Sequence, residues 1–125
     1  MRLILASTSP RRHELLALLG LPFDVVAPPF IEQVQQHRSA DQQAMEFAAG
    51  KARSCLSICP DALLLGSDTL INLGAEVLGK PIDLAGAEAM LRRLAGRKHR
   101  IVTAVALAGP ESARCEARLA EVLVT

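Results

Sequence analysis

The strongest constraint on the fold is a short, uninterrupted apolar run, Ala62-Leu63-Leu64-Leu65, bounded by Pro60 and Gly66. A run of this length between a proline and a glycine is typical of a strand that is buried on both faces, as in a sheet covered by helices. The chain contains no Trp or Tyr and only three Phe. The core around this strand must therefore be built mainly from aliphatic side chains.

Extended patterns recur on both sides of this run. Leu70-Ile71 and Val77-Leu78 flank a segment that contains a glycine, which predicts a β-hairpin. The residues from Ile101 to Leu107 form a strongly apolar strand that Gly109-Pro110 ends. Further strands are predicted at Leu3–Leu5 and Phe23–Val26, and one more begins within Ala120–Thr125.

Three helices are predicted between these strands. Ser9, Ser39 and Asp83 are each placed to cap a helix start. The second helix is expected to run to about Ile58. Apolar residues at helical spacing predict the faces that the helices bury, namely Leu15, Leu16 and Leu19, then Met45, Ala48, Ala49, Ala52 and Leu56, then Met90, Leu91 and Leu94.

Strands that alternate with helices indicate an α/β fold, and the late hairpin makes the sheet mixed rather than purely parallel. The expected architecture is a mixed β-sheet flanked by helices. With 125 residues the chain has the length of one small domain, which we assign to residues 1–125.

The charge balance and the cysteines exclude several classes of function. A formal charge of +1 creates no global field for nucleic acid or a membrane, and without Trp or Tyr no stacking surface for single strands is expected. No apolar run has the length of a membrane span or a signal-peptide core, so we expect a cytoplasmic protein. Cys55, Cys59 and Cys115 match no zinc spacing, and Cys55 is expected to be a reduced core residue.

Two adjacent arginines lie in the first turn of the first predicted helix. The helix dipole disfavours Arg11 and Arg12 there by about 0.3–1 kcal/mol each, so a bound anion would offset the cost. The amides of a helix start and two guanidiniums can together hold a polyphosphate. A pair of solvated arginines, one of them tied to Glu14, explains these residues equally well.

A second candidate for chemistry is Gly66-Ser67-Asp68-Thr69, which follows the buried strand directly. Ligands of open α/β sheets bind at the carboxyl edge, and Asp68 there can accept a proton from water or hold a divalent cation. An aspartate at a strand end is also a common turn-former, so both interpretations stay open. Lys80 lies in Gly79-Lys80-Pro81, where a ligand can approach closely, but an ordinary surface lysine fits this position as well.

The segment Leu5-Ala6-Ser7-Thr8-Ser9-Pro10-Arg11-Arg12-His13-Glu14-Leu15-Leu16 resembles the opening signature of the Maf family. Other segments match that family in order and spacing, namely Lys51-Ala52, Gly66-Ser67-Asp68-Thr69, Leu78-Gly79-Lys80-Pro81, Met90-Leu91-Arg92-Arg93-Leu94-Ala95-Gly96 and His99–Val105. The resemblance covers essentially the whole chain. It implies a fold akin to that of the inosine triphosphate pyrophosphatases, and hydrolysis of a nucleoside triphosphate to the monophosphate and pyrophosphate.

The resemblance also implies roles for particular residues. Asp68 matches the family's proton acceptor for the attacking water, and Glu32 matches a pocket acid that helps to hold the divalent cation or the water. Asp68 and Glu32 are therefore the expected ligands of a divalent cation, Mg²⁺ or Mn²⁺. The residues expected to bind the substrate are Ser7, Arg11, Arg12, Glu32, Lys51, Thr69 and Lys80.

Substrate preference follows from the same resemblance. Arg12 and Thr69 match the members that act on dTTP and UTP. Members that prefer 7-methyl-GTP typically carry Trp at position 11 and Gln at position 69, so dTTP and UTP are the expected substrates. Ile31 departs from the family, which commonly has an acid there, and one carboxylate fewer would weaken metal binding.

The resemblance further implies that the family continues past residue 125 with strands and with a glutamine that contributes to base selection. We therefore expect this chain to lack the C-terminal part of the fold. The alternative function is that of a truncated, non-catalytic remnant that binds nucleotide or a protein partner through an exposed sheet edge. Such an edge favours self-association, so a homodimer is one expected assembly, although the sequence leaves the oligomeric state open.

Overall fold

The computed structural model describes residues 2–110 and 115–124. Within them the elements are, in chain order, β1 (Leu3–Ala6), α1 (Pro10–Ala17), β2 (Asp24–Val26), α2 (Ala40–Ser54), β3 (Leu63–Leu73), β4 (Glu76–Leu78), α3 (Leu84–Leu94), β5 (His99–Ala108) and β6 (Cys115–Val124). Among these residues, none of the helices has the length and apolar character that a membrane span needs.

The strands form one mixed sheet in the order β2-β1-β3-β5-β6, with β4 pairing to β3. The strand β1 runs parallel to both β2 and β3. The pairs β3–β4, β3–β5 and β5–β6 are antiparallel. The prediction of an α/β fold with a mixed, helix-flanked sheet is therefore confirmed.

The predicted helix starts are confirmed by their capping hydrogen bonds. The side chain of Ser9 accepts from the amide of Arg12, that of Ser39 from Gln42, and that of Asp83 from Gly86. Each side chain satisfies an amide that has no partner inside its helix.

One face of the sheet is covered by α2. The buried residues of this layer are almost all aliphatic: Ala40, Ala44, Phe47, Ala48, Leu70, Val77, Val102, Ala104 and Ala106. Side chains alternate along a strand, so Thr103 and Val105 of β5 lie on the opposite face, which we call the outer face.

Gly66 allows α2 to pack directly onto β3. A Cβ atom at this position would overlap the carbonyl oxygen of Ala48 and would lie 2.9 Å from the amide nitrogen of Ala52. Both are backbone atoms of α2, so neither can shift without moving the whole helix. Because Gly66 has no side chain, α2 and β3 can pack at this short distance, and any larger residue at position 66 would push them apart.

The pairing of β3 changes partway along one of its edges. Its parallel pairing with β1 ends at Leu5 opposite Leu65, and its antiparallel pairing with β4 begins at Leu78 opposite Ile71. Within the described residues no strand pairs with this side of residues 66–70. We call this stretch the open edge of β3.

Several predicted boundaries are wrong. The segment Gly66-Ser67-Asp68-Thr69 does not follow a strand but lies inside β3, because β5 pairs with β3 without interruption from Leu64 to Asn72. Helix α2 ends at Ser54 rather than near Ile58, since the next residues form three-residue turns before Pro60. Strand β6 begins well before Ala120, and the predicted last residue, Thr125, lies outside the described residues.

Helices α1 and α3 bury fewer apolar side chains than their sequence patterns predict. In α1 only Leu16 is buried, while Leu15 is 53% exposed and Leu19, which lies just after the helix, is 67% exposed. No residue of α3, all of which the structure describes, is buried. By contrast, Cys55 is buried with a free thiol, as predicted. The apolar faces of α1 and α3 border an open space over the outer face of the sheet instead of a filled core.

We expect Gly66→Ala to lower the free energy of unfolding by about 1–3 kcal/mol, because the added methyl group forces α2 away from β3. Urea denaturation of the two proteins measures the difference. Gly109→Ala is the matched control, since the nearest atom to its Cβ is Leu63 Cδ1 at 3.9 Å. Equal stability of the two variants would show that Gly66 does not set the helix position.

Candidate functional site

A cleft of about 970 Å³ opens at the open edge of β3 and continues over the outer face of the sheet. The loops after β1 and β2, the start of α1 and the segment after β4 all reach this cleft. Every site residue expected from the sequence lines it: Ser7, Arg11, Arg12, Glu32, Lys51, Asp68, Thr69 and Lys80.

Lys51 joins two carboxylates at the inner end of the cleft. Its Nζ donates to Asp68 Oδ1 at 2.9 Å and to the carbonyl oxygen of Ser67 at 3.2 Å. It also forms an ion pair with Glu32. Asp68 is only 4% exposed, and its buried Oδ2 has no hydrogen-bond partner in the described part of the chain.

Burial is the largest influence on both acids and favours their neutral forms. In Asp68 it outweighs the hydrogen bond and charge of Lys51 and raises the pKa to about 6, and the nearby charge of Glu32 adds to this increase. In Glu32 the effect of burial is also upward, but the hydrogen bond and charge of Lys51 prevail and lower the pKa. Glu32 is therefore the more acidic group, and Asp68 has the higher affinity for a proton.

Glu32 reaches Lys51 because its loop is anchored to α2 and β4. The ring of Phe30 occupies the space over Gly50, where a Cβ atom would overlap it, and makes an edge contact with Phe47. Further along, the Gln36 side chain donates to the Val77 carbonyl at 2.8 Å and accepts from the Val77 amide at 2.9 Å. Gln36 thus pairs with β4 as a strand backbone would.

A buried glutamine holds the same loop from the side of α2. Gln43 is 1% exposed. Its Nε2 donates to the carbonyl oxygens of Gln35 and Arg38, with the carbonyl oxygen of Ser39 a longer contact at 3.4 Å, and its Oε1 accepts from the amide of Gln35. Loop carbonyls that are removed from water need such partners, so Gln43 stabilises the connection between Glu32 and α2.

Arg12 lies on the other side of the open edge, where its Nη2 donates to Thr69 Oγ1 at 3.3 Å. Thr69 Oγ1 also lies 2.9 Å from Thr103 Oγ1 on β5. Ser7 is buried in the loop before α1, and its Oγ accepts from the amide of Ser9 at 3.0 Å. Because Ser9 in turn caps α1, these contacts fix the start of the helix that carries Arg12.

Arg11 and Lys80 lie at the exposed rim of the cleft. Together with Arg12 they surround its mouth with positive charge, while the two carboxylates lie deeper. A cleft with this distribution of charge favours a ligand whose negative charge lies near the rim. Of the alternatives left open by the sequence, a turn-forming Asp68 does not fit, since Asp68 lies inside β3, and Arg12 contacts Thr69, whereas the exposed Arg11 still fits a solvated arginine.

Sequence patterns did not reveal the contributions of Phe30, Gln36, Gln43 and Thr103. Only the register of β3 against β5 places Thr103 opposite Thr69. Phe30 gives a weak local signal, as an aromatic residue two positions before the predicted acid. The two glutamines give none, because their partners are backbone groups of distant residues.

The residues can accommodate a divalent cation only with help from a ligand. No group of three or more His, Cys, Asp and Glu side chains converges within residues 2–110 and 115–124. Glu32 and Asp68 still provide carboxylate oxygens, including the unpartnered Oδ2 of Asp68. Magnesium is commonly held by one or two carboxylates together with substrate phosphates and water, so the donor set fits such an ion.

Residues 2–125 match the family described as Maf-like protein. The chain is 44% identical to the dTTP/UTP pyrophosphatase of Bacillus velezensis, with 85% of this chain and 56% of that protein covered. It is also 44% identical to the dTTP/UTP pyrophosphatase of Shewanella oneidensis, over 99% of this chain and 67% of that protein. A 7-methyl-GTP pyrophosphatase of Syntrophotalea carbinolica is 43% identical, with 84% and 54% covered.

Solved structures share the fold at low sequence identity. The Ham1 protein of Staphylococcus aureus superposes with a TM-score of 0.60 at 16% identity, covering 98% of this chain and 70% of that one. The nucleoside-triphosphatase / dITP/XTP pyrophosphatase of Mycobacterium abscessus gives 0.58 at 19%, covering 98% and 73%. The expected inosine triphosphate pyrophosphatase-like fold is confirmed. The chain spans little more than half the length of the Bacillus and Syntrophotalea relatives.

Replacing Asp68 by Asn tests the buried acid through the pH dependence of stability. The folded-state pKa of Asp68 is raised above its ordinary 3.8 to about 6. The native state therefore binds the proton more tightly, and the contribution of Asp68 to stability is greatest below pH 4 and is lost as the pH rises to 6. We expect the free energy of unfolding of the wild type, relative to Asp68→Asn, to fall by on the order of 2 kcal/mol between pH 4 and 7.

The measurement is urea denaturation in a chelator at several pH values. Glu46→Gln is a control of opposite sign, because the hydrogen bond from Arg38 lowers the pKa of Glu46. Relative to that variant, wild-type stability should rise with pH. A flat difference for Asp68→Asn would mean that Asp68 is not the group with the raised pKa.

Proposed function

The chain belongs to the Maf family, and from that membership we propose that it hydrolyses nucleoside triphosphates to the monophosphate and pyrophosphate, with dTTP and UTP as preferred substrates. The observation that carries the proposal is the position of Asp68. It is a buried carboxylate with one unpartnered oxygen, next to Lys51 and Glu32, at the inner end of a cleft whose rim is cationic.

In this proposal Asp68 accepts the proton of the attacking water. A general base works best when its pKa lies near the working pH, and burial raises the pKa of Asp68 to about 6. Its Oδ1 is held by Lys51 at 2.9 Å. Oδ2, which has no hydrogen-bond partner among the described residues, is the oxygen left to take that proton or to contact a cation.

Lys51 keeps both acids in place and offsets part of their mutual repulsion. Its ammonium contacts Asp68, Glu32 and the carbonyl of Ser67 at once. Glu32 and Asp68 would hold Mg²⁺ or Mn²⁺ together with the substrate. Such an ion, when bound, supplies charge stabilisation for the phosphates.

Arg11 and Lys80 at the cleft mouth bind the phosphates, while Arg12 is assigned to the base together with Thr69. Arg11 lies in the first turn of α1, where Pro10 has no amide hydrogen and the amide of Arg12 is already bonded to Ser9 Oγ, so the side chain of Arg11 supplies the contact. Lys80 approaches from the segment after β4. Ser7 and the start of α1 fix the position of the arginines, so the phosphates meet a preformed set of donors.

The preference for pyrimidine nucleotides rests on Arg12 and Thr69. Both are the residues that the resemblance associates with dTTP and UTP, and they contact each other at 3.3 Å. Relatives named for dTTP/UTP are 44% and 49% identical to this chain, and a relative named for 7-methyl-GTP is 43% identical, which is a small difference. The two side chains therefore support the preference more strongly than overall identity does.

Asp68→Asn should reduce pyrophosphate release by at least about 100-fold, because the amide keeps the shape of the carboxylate but cannot accept a proton. The assay measures phosphate after added inorganic pyrophosphatase, with Mg²⁺ or Mn²⁺ and a panel of nucleotides. Nucleotide binding should survive better than turnover. Near wild-type turnover would remove Asp68 from the mechanism, and a wild type that binds nucleotide without releasing pyrophosphate would favour the non-catalytic alternative.

Arg12→Ala should raise KM for dTTP and UTP about tenfold or more, the cost of losing a hydrogen bond from a charged group. If the guanidinium contacts a phosphate, the factor shrinks as salt is added, because salt screens the attraction. Steady-state kinetics at two ionic strengths distinguishes the contacts. Unchanged KM values would exclude Arg12 from substrate binding, and equal rates with purine nucleotides would contradict the proposed preference.

A further inference from the structure

We propose that Thr103 is a positioning residue for the substrate base, acting through the hydroxyl of Thr69 and the guanidinium of Arg12. The proposal rests on the proposed function, since it concerns the ligand of the same cleft. Its basis is a pair of hydroxyls on the outer face of the sheet.

The two threonines form a direct cross-strand pair. Thr69 on β3 lies opposite Thr103 on β5 in the register, and their Oγ1 atoms are 2.9 Å apart. Both side chains lie on the outer face, on which the cleft opens, and both line the cleft. A ligand in the cleft therefore reaches this pair.

The hydrogen bonds of the pair determine what it offers to a ligand. A guanidinium can only donate, so Thr69 Oγ1 accepts from Arg12. Of the two hydroxyl hydrogens, one lies between the threonines, and the other is left for a further acceptor. Without the Thr103 hydroxyl, Thr69 loses the partner that holds its rotamer, and Arg12 loses a fixed acceptor.

The surroundings of the pair suit a base better than a phosphate. On the outer face the pair is flanked by Ser67 and Val105 on one side and by Ile71 and Ile101 on the other, and the apolar side chains of Leu15 and Leu16 of α1 also line the cleft. Binding sites for flat organic groups combine an apolar surface with a few placed polar groups. The acids that accompany the phosphates lie on the α2 side of β3 instead.

The first measurement compares Thr103→Val, which keeps the shape of the side chain, with Thr103→Ser, which keeps the hydroxyl. The ligands are the α,β-methylene analogue of dTTP, which is not cleaved, and inorganic tripolyphosphate, which has no base, both with Mg²⁺. Thr103→Val should weaken binding of the nucleotide analogue about 3- to 10-fold, as expected for the loss of one hydrogen bond between neutral groups. Binding of tripolyphosphate should change less than twofold, and Thr103→Ser should restore nucleotide affinity.

A double-mutant cycle tests the route of the effect. If Thr103 acts through Thr69, then Thr103→Val should add little to the loss already caused by Thr69→Val. Ile101→Val is the matched control, since Ile101 lies on the same face of the same strand but does not line the cleft. In turnover assays the effect of Thr103→Val should appear in KM for dTTP while kcat changes less than twofold.

The outcomes separate this inference from the proposed function. The inference is overturned if Thr103→Val binds the nucleotide analogue like the wild type, if both ligands weaken equally, if Thr103→Ser fails to restore binding, or if the effects of Thr69→Val and Thr103→Val are additive. A wild type that binds the analogue with these dependences but releases no pyrophosphate from dTTP supports the inference and contradicts the proposed activity.

Discussion

The close contact between α2 and β3 at Gly66 is the constraint on which the site depends. It brings Lys51 of α2 within hydrogen-bond distance of Asp68 and of the Ser67 carbonyl. A wider spacing would leave Asp68 buried without its cation, and a buried unpaired charge is among the most destabilising features a fold can contain. The packing of α2, the pairing of Asp68 with Lys51 and the proposed chemistry thus all require a glycine at position 66.

Negative charge lies at the inner end of the cleft, and positive charge lies at its rim. Two carboxylates, Glu32 and Asp68, share the single ammonium of Lys51, so the inner end keeps an excess negative charge when both are ionised. The rim carries only cations, Arg11, Arg12 and Lys80. A polyphosphate that carries a divalent cation would complement both regions, since the rim offers cations for its oxygens and the inner end offers carboxylates for the metal. Neither a bare anion nor a bare cation matches both.

The sequence predicts features that depend on interactions between nearby residues, and it does not predict those that depend on residues far apart in the chain. Ser9, Ser39 and Asp83 cap helices through bonds that span three residues, so the helix starts were predictable. The extended conformation of Asp68 was not, because it depends on pairing with β5, more than thirty residues further along. The cleft could not be predicted either, because it forms where β3 stops pairing with β1 and has not yet begun to pair with β4. The eight expected site residues do line that cleft, while their individual roles remain predictions.

The open edge of β3 explains how adjacent residues can serve different parts of one ligand. Strand geometry sends neighbouring side chains to opposite faces. Asp68 therefore lies with Lys51 on the α2 side, and Thr69 lies with Arg12 and Thr103 on the outer side. If another strand closed this edge, the backbone of the sheet would separate the acid from the hydroxyl pair. Because the edge between β1 and β4 is open, one ligand in the cleft can reach both the acids and the hydroxyl pair, which the proposed nucleotide site requires.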